Sequence, residues 1–295
     1  MQNVLSLLAL SVMTVGTVLA QDQRPAQASD ARTRDIYVSV VDDKGVAATG
    51  LTAADFVVRE DGTPREVLRA SPATEPLHIV LLVDDSQAAT RAIPYLRDGL
   101  TRFVDQMHGK ASIGIVTIGE RPTSVVEPTK DVAVLKKGIS RIFARPGAGS
   151  YLLEGISEVS RGMQMREAPR PVIVALSIEG IEFSNLQYER VLDDLYKSGA
   201  ALHVLAIGSP VNSTSDEIRN KNVVVSQGTE ATGGRRDQLL SELAIPDTLN
   251  KLAGELLNQY LVTYARPEKL IQPEKVQVSV KKPDLNARAR TRLPR

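Results

Sequence analysis

The 295-residue sequence contains no cysteine. That excludes disulfides, thiolate metal sites and a lipid-anchoring cysteine, so the fold must hold without covalent staples. Tryptophan is absent and aromatics reach only 4%, while apolar residues make up 42%. A core of that composition is mainly Val, Leu, Ile and Ala, which suits layered α/β packing better than an aromatic-rich sandwich. Net charge is also nearly missing, with 36 Lys plus Arg against 35 Asp plus Glu. No global field argues for nucleic acid or an anionic membrane. The basic run Arg288, Arg290, Arg292 and Arg295 is a local exception that reads as a solvated edge strand or tail.

Long apolar runs are lacking after residue 20. The opening block MQNVLSLLALSVMTVGTVLA reads as a secretory signal peptide cleaved after Ala20; its start carries no Lys or Arg, and an uncleaved membrane anchor is the alternative reading. The expectation is an exported protein, periplasmic or secreted, with no transmembrane span in the mature chain. Residues 21–34 read as a flexible spacer. Several site signatures are missing too. Gly228 to Gly234 lacks the Gly-Lys-Ser/Thr of a phosphate loop, and there is no Gly-x-Ser-x-Gly nucleophile elbow. His78, His108 and His203 are far apart, which suits structural histidines better than a zinc site. Asn212-Ser213-Thr214 matches a glycosylation acceptor pattern.

What is present is ordered in three blocks. Residues 35–75 form an N-terminal β unit. Ile36 to Val41 predicts a strand, Asp42-Asp43-Lys44-Gly45 a turn, Thr52 to Asp55 a capped helical turn, and Phe56 to Glu60 with Arg65 to Ala70 a hairpin around Asp61-Gly62. Residues 76–264 alternate strand and helix. Strands are expected at Leu77–Val83, Ser112–Ile118, Val172–Ser177 and Ala201–Ile207, with helices near Ile93–Met107, Val132–Phe143, Tyr151–Met163, Asn185–Ser198 and Asp247–Tyr260. Residues 208–235 read as a long loop around a short strand at Val223–Val225. Residues 265–295 return to β, and one small sheet built from residues 35–70 and 265–292 is expected. The fold class is thus α/β: a doubly wound, mostly parallel sheet with helices on both faces, plus a small β unit formed by both flanks.

In such a sheet, ligands bind beyond the carboxyl ends of the strands. Three polar loops fall there: Asp84-Asp85-Ser86, Gly147-Ala148-Gly149-Ser150 and Ser177-Ile178-Glu179-Gly180. A carboxylate, hydroxyls and waters can complete the roughly six-oxygen shell of a hard cation such as Mg²⁺. Asp84 and Ser86 also read as residues that cap the following helix and satisfy loop amides, Ser150 as a cap of the next helix, and Glu179 as a solvated loop carboxylate.

These loops resemble the von Willebrand factor type A family, specifically its bacterial secreted members. Asp84-Asp85-Ser86-Gln87-Ala88 stands where that family has the Asp-x-Ser-x-Ser of its metal-ion-dependent adhesion site. Ser150 stands at its Thr, and Ser177-Ile178-Glu179 at its Thr/Ser-Asp-Gly. Gly50 to Phe56 with Glu60-Asp61-Gly62, Thr232-Gly233-Gly234-Arg235, Asn258-Gln259-Tyr260 to Tyr264 and Val276 to Arg290 are similar to further family segments. The resemblance implies the type A fold and a non-enzymatic interaction module that meets an unidentified protein partner through the carboxyl-end loops. It also implies a site for Mg²⁺ or Mn²⁺ at Asp84, Ser86, Ser150 and Glu179. Ala88 and Ile178 depart from the pattern, so the site is expected to be degenerate. The other readings are a metal-independent envelope scaffold and a metal-assisted hydrolase using Asp84 and Glu179.

Overall fold

The computed structural model describes residues 31–211, 213–267 and 271–292. The expected signal peptide, residues 21–30 of the spacer, Asn212 and Arg295 lie outside the described residues.

The α/β region grows from a strand that is apolar at every position but His78. β5 (Leu77–Val83) sends Ile79, Leu81 and Val83 to one face and Val80 and Leu82 to the other. Both faces must therefore be covered, which a parallel strand flanked by helices achieves. α1 (Ile93–Gln106), α2 (Val132–Ile139) and α6 (Ile245–Leu257) cover the first face; α3 (Leu152–Met165), α4 (Tyr188–Ser198) and α5 (Asp216–Thr232) cover the second. With β6 (Ala111–Thr117), β7 (Thr123–Thr129), β8 (Pro171–Ile178), β9 (Ala201–Ile207) and β10 (Arg236–Leu239), the sheet has the order β10-β9-β8-β5-β6-β7. Every pair is parallel except β6 with β7. β7 is a polar, Pro-containing edge strand, a pattern that does not read as sheet from sequence.

One expectation is overturned in this region. The segment 208–235 is not a loop around a strand at Val223–Val225, because residues 216–232 form α5. Its cap is a good one: the Ser215 hydroxyl accepts from Ile218 N, Asp216 and Glu217 fill the first turn, and Gly233 closes the helix at φ +77°. Three consecutive β-branched valines and a buried face that includes Asn220, Lys221, Thr229 and Thr232 hid the helical period.

The flanks also differ from expectation. They form two sheets, not one. β1 (Ala31–Asp42), β4 (Val67–Pro72), β11 (Tyr260–Pro267) and β13 (Leu285–Ala289) make an antiparallel sheet of order β13-β1-β11-β4. β2 (Phe56–Glu60), β3 (Thr63–Arg65) and β12 (Val276–Val280) make a second, β12-β2-β3. The two share one core of Ile36, Val38, Val40, Phe56, Val58, Tyr260, Val262, Tyr264 and Val276. The hairpin turn at Asp61-Gly62 holds both residues at positive φ, 46° and 80°, as a two-residue turn between twisted strands requires. The strand expected at Arg65–Ala70 breaks after Arg65 because its halves serve different sheets. β1 begins at Ala31, inside the expected spacer, and β11 lies between β1 and β4. Tyr260 to Tyr264 thus belong to the flank rather than to the α/β region, since their inward side chains fill the flank core.

Candidate functional site

Where β5 runs out of apolar residues, Asp84 follows with its side chain fully buried. Both of its oxygens accept backbone amides, Oδ1 from Ser86 N at 2.9 Å and Oδ2 from Ile178 N at 3.1 Å. One carboxylate therefore ties the loop after β5 to the end of β8. Burial pushes the Asp84 carboxyl up, and hydrogen bonds from Ser86 and Ile178, with the nearby Ser150 hydroxyl, oppose the shift. The Ser150 hydroxyl is close enough to act on Asp84, yet it forms no hydrogen bond of ordinary geometry among the described residues. Asp84, Ser86 and Ser150 are thus brought together, all buried.

Asp84 satisfies loop amides as the structural reading expects, but the helix-capping part of that reading does not hold. Ser86 precedes a short 3₁₀ turn, Gln87–Arg91, without a side-chain cap bond, and α3 is preceded by Tyr151, not Ser150. The α3 amides are met from elsewhere: Glu182 Oε1 accepts from Leu152 N at 3.1 Å, and Ser184 Oγ accepts from Leu153 N at 3.1 Å. The Ser184 hydroxyl also donates to Glu182 Oε1. Ser150 and Glu182 are further joined as a parallel bridge pair.

Glu182 is a second perturbed acid of the site, beside Asp84. Burial pushes its carboxyl up to about 7, against the pull of Ser184, Lys221 and the Leu152 amide, while Asp84 adds to the rise. Its Oε2 is buried with no partner among the described residues. Glu179, by contrast, is engaged by a cation. Its Oε2 lies 3.2 Å from Lys221 Nζ and both side chains are largely buried, so Glu179 is not the solvated loop carboxylate expected from sequence. Among the described residues, no group of three or more His, Cys, Asp or Glu is placed to hold a metal ion.

Asp85 acts as a staple. Its Oδ1 accepts from Gly119 N at 2.6 Å and its Oδ2 from Arg145 Nε at 2.8 Å, so it joins the loops after β5, β6 and α2. A Cβ at Gly119 would fall 2.5 Å from that same oxygen, and one at Gly149 2.3 Å from the Phe183 ring. Both glycines permit close loop approach. Sequence reading missed Asp85, Glu182, Ser184 and Lys221 as parts of this site. Lys221 lay in a segment read as loop, and Glu182 stands outside the three motif windows.

The structural reading of the histidines holds only in part: both ring nitrogens of His203 and Nε2 of His78 are buried with no hydrogen-bond partner among the described residues, and His108 is exposed. His203 is fully buried in β9, and desolvation lowers its pKa to about 4. It lies among Glu255, Arg288, Arg235 and Asp237, the group where α6 meets β13 through Arg288 and Glu255 at 2.6 Å.

Among the described residues, no helix is long and apolar enough to cross a membrane. No curated protein matches the chain. Solved structures do. A "von Willebrand factor type A" protein from Catenulispora acidiphila superposes with a TM-score of 0.53 at 11% identity, over 89% of this chain and 72% of that one. Proximal thread matrix protein 1 from the mussel byssus, "with zinc occupied MIDAS motif", gives a TM-score of 0.51 at 14% identity, over 67% of this chain and 49% of that one. At these identities the likeness is one of fold. The model of the von Willebrand factor type A domain matches residues 79–178, the stretch from β5 through β8 that carries Asp84, Ser86 and Ser150. The chain therefore contains a von Willebrand factor type A domain.

Proposed function

We propose that this protein is an exported interaction module that meets a protein partner through the carboxyl-end loops of its type A domain, with a binding rather than a catalytic role. The observation that carries this reading is the convergence of Asp84, Ser86 and Ser150 at that edge, with the Ser150 hydroxyl near Asp84 but in no hydrogen bond of ordinary geometry among the described residues. An all-oxygen set of one carboxylate and two hydroxyls fits a hard cation with waters completing its shell. Asp84, Ser86 and Ser150 would hold Mg²⁺ or Mn²⁺, and an ion there would offer an open position to an acidic side chain of the partner.

A second reading, metal-independent recognition by the same loops or a scaffold role in the envelope, is favoured by the ion pair between Glu179 and Lys221. That pair places a fixed ammonium beside the acidic cluster and leaves Glu179 poorly placed to serve as a ligand. Ala88 and Ile178 remove a hydroxyl and a carboxylate from the family pattern, which also supports a weakened site.

Calorimetric titration of the mature protein with Mg²⁺ and with Mn²⁺, repeated on Asp84→Ala, separates the readings. Heat that disappears in the variant supports the metal-assisted module. A silent parent whose capture of envelope or secreted proteins ignores chelator supports the metal-independent one, and a parent that captures nothing in either condition counts against an interaction module.

A further inference from the structure

The exposed apolar side chains are unevenly placed. Ile181 and Phe183 follow β8, Val211 follows β9, and Leu240 and Leu243 follow β10, so one edge of the sheet carries a group of uncovered aliphatic and aromatic surface. Large exposed apolar patches on a folded chain mark contact sites. A groove of about 630 Å³ opens there, between the loop after β8 and the start of α5. Ile181, Phe183, Val211 and Ile218 give it apolar walls, and Glu182 and Glu217 supply its charge. Among the described residues, no Lys or Arg lines it. The second oxygen of Glu182 is buried and lacks a hydrogen-bond partner among the described residues. Lys221, whose charge does reach Glu182, is itself buried and held on Glu179.

From these observations we infer that the groove binds a segment of a partner protein in which apolar side chains alternate with lysine or arginine. Apolar residues of the segment cover Ile181, Phe183 and Val211. A cationic residue meets Glu217 at the rim and Glu182 at the floor, which supplies the charge that the groove itself lacks. This differs from metal-mediated capture, which selects an acidic side chain, and it rests on the proposal that the carboxyl-end loops are the contact face.

The test uses the mature chain and fluorescein-labelled synthetic peptides: alternating Leu-Lys, alternating Leu-Glu and alternating Ser-Lys, followed by anisotropy. The Leu-Lys peptide is expected to bind about tenfold or more tightly than either counterpart. Ile181→Ser and Glu217→Lys, both at solvent-facing positions, are each expected to weaken it about fivefold to tenfold. Met165→Ser, at the far end of α3, is expected to leave it unchanged, with thermal melts confirming that every variant is folded. Equal binding of Leu-Lys and Leu-Glu, or loss-free binding by both groove variants, overturns the inference. So does a concentration-dependent dimer that Ile181→Ser dissolves, because the groove would then be covered by a second copy. A protein that ignores the peptides yet captures partners in an Asp84-dependent way refutes the groove and leaves the interaction module standing.

Discussion

Two buried glutamates, one in the flank and one at the edge of the type A domain, are treated in opposite ways. In the flank, Glu60 receives Arg65 Nε at 2.9 Å, Arg266 Nε at 3.0 Å and the Tyr264 hydroxyl at 2.9 Å. In the type A domain, Glu182 receives one amide and one hydroxyl, keeps an unpartnered oxygen, and is pushed up to about 7. A carboxylate compensated by two guanidinia holds parts together. One that is desolvated without a direct cation partner stores unfavourable free energy that a ligand can relieve, which is why such groups gather at binding sites. The flank glutamate joins β2, β3 and β11 and so bridges its two sheets; the domain glutamate faces a groove.

The largest expected effect comes from breaking the compensated member. Glu60→Ala removes the carboxylate shared by Arg65 and Arg266, so the loss expected is about 3–5 kcal/mol. Urea unfolding of parent and variant measures it, and a change below about 1 kcal/mol would show that Glu60 does not hold the two sheets together. The contrast with Glu182 would then lose its structural half.

The second test sharpens the other half through pH. Glu182 binds its proton more tightly folded, at about 7, than its ordinary value of 4.5. Between those values the native state carries more protons than the unfolded one, so this group makes stability fall as pH rises. His203 has the reverse sign. Its folded pKa of about 4 lies below the ordinary 6.5, the unfolded state takes up the proton first, and its contribution is lost as pH falls through that window. In the parent the two slopes oppose each other. Glu182→Gln keeps an oxygen for Leu152 N and should leave a protein whose stability rises from pH 4.5 to 6.5. His203→Leu should leave one whose stability falls from pH 4.5 to 7, each by about 2 kcal/mol. Denaturation midpoints across that range decide it, and identical profiles for parent and Glu182→Gln would remove the case for a strained carboxylate.

The two regions also differ in how much of them could be read from sequence. The α/β order was legible because β5, β8 and β9 are apolar runs broken only by His78, Ser177 and His203, and α1 carries its stripe cleanly at Leu96, Leu100, Phe103 and Val104. Asp84, Ser86 and Ser150 were legible because motif spacing and strand ends coincide. α5 was not, since its face against the sheet mixes Val224 and Val225 with Asn220, Lys221, Thr229 and Thr232. With α5 went Lys221, and with Lys221 the partner of Glu179. Glu182 was missed for a different reason: its role depends on the bridge to Ser150, a contact between residues far apart in sequence. In the flank, alternation marked each strand but not its partner, so β3 and β4 were merged and one sheet was expected where two form.

The smallest expected effect bears on the metal question. Ala88 is exposed, and its Cβ lies 3.0 Å from where a Cβ of Gly180 would be, so it faces the loop after β8. Ala88→Ser adds a hydroxyl at that edge without burying it, and metal-free stability should change by less than about 0.5 kcal/mol. Any larger effect should appear only with ion. Thermal melts in Mg²⁺ and in chelator are expected to separate further for Ala88→Ser than for the parent, because the added oxygen raises the donor count while Asp84 keeps its place on Ser86 N and Ile178 N. If the separation does not grow, the deficit lies at Ile178, where a buried apolar side chain stands in place of a carboxylate and its amide is already committed to Asp84. The edge would then be one in which the former ion's neighbours have been tied to backbone amides and to Lys221, leaving Glu182 as the carboxylate still open to a partner.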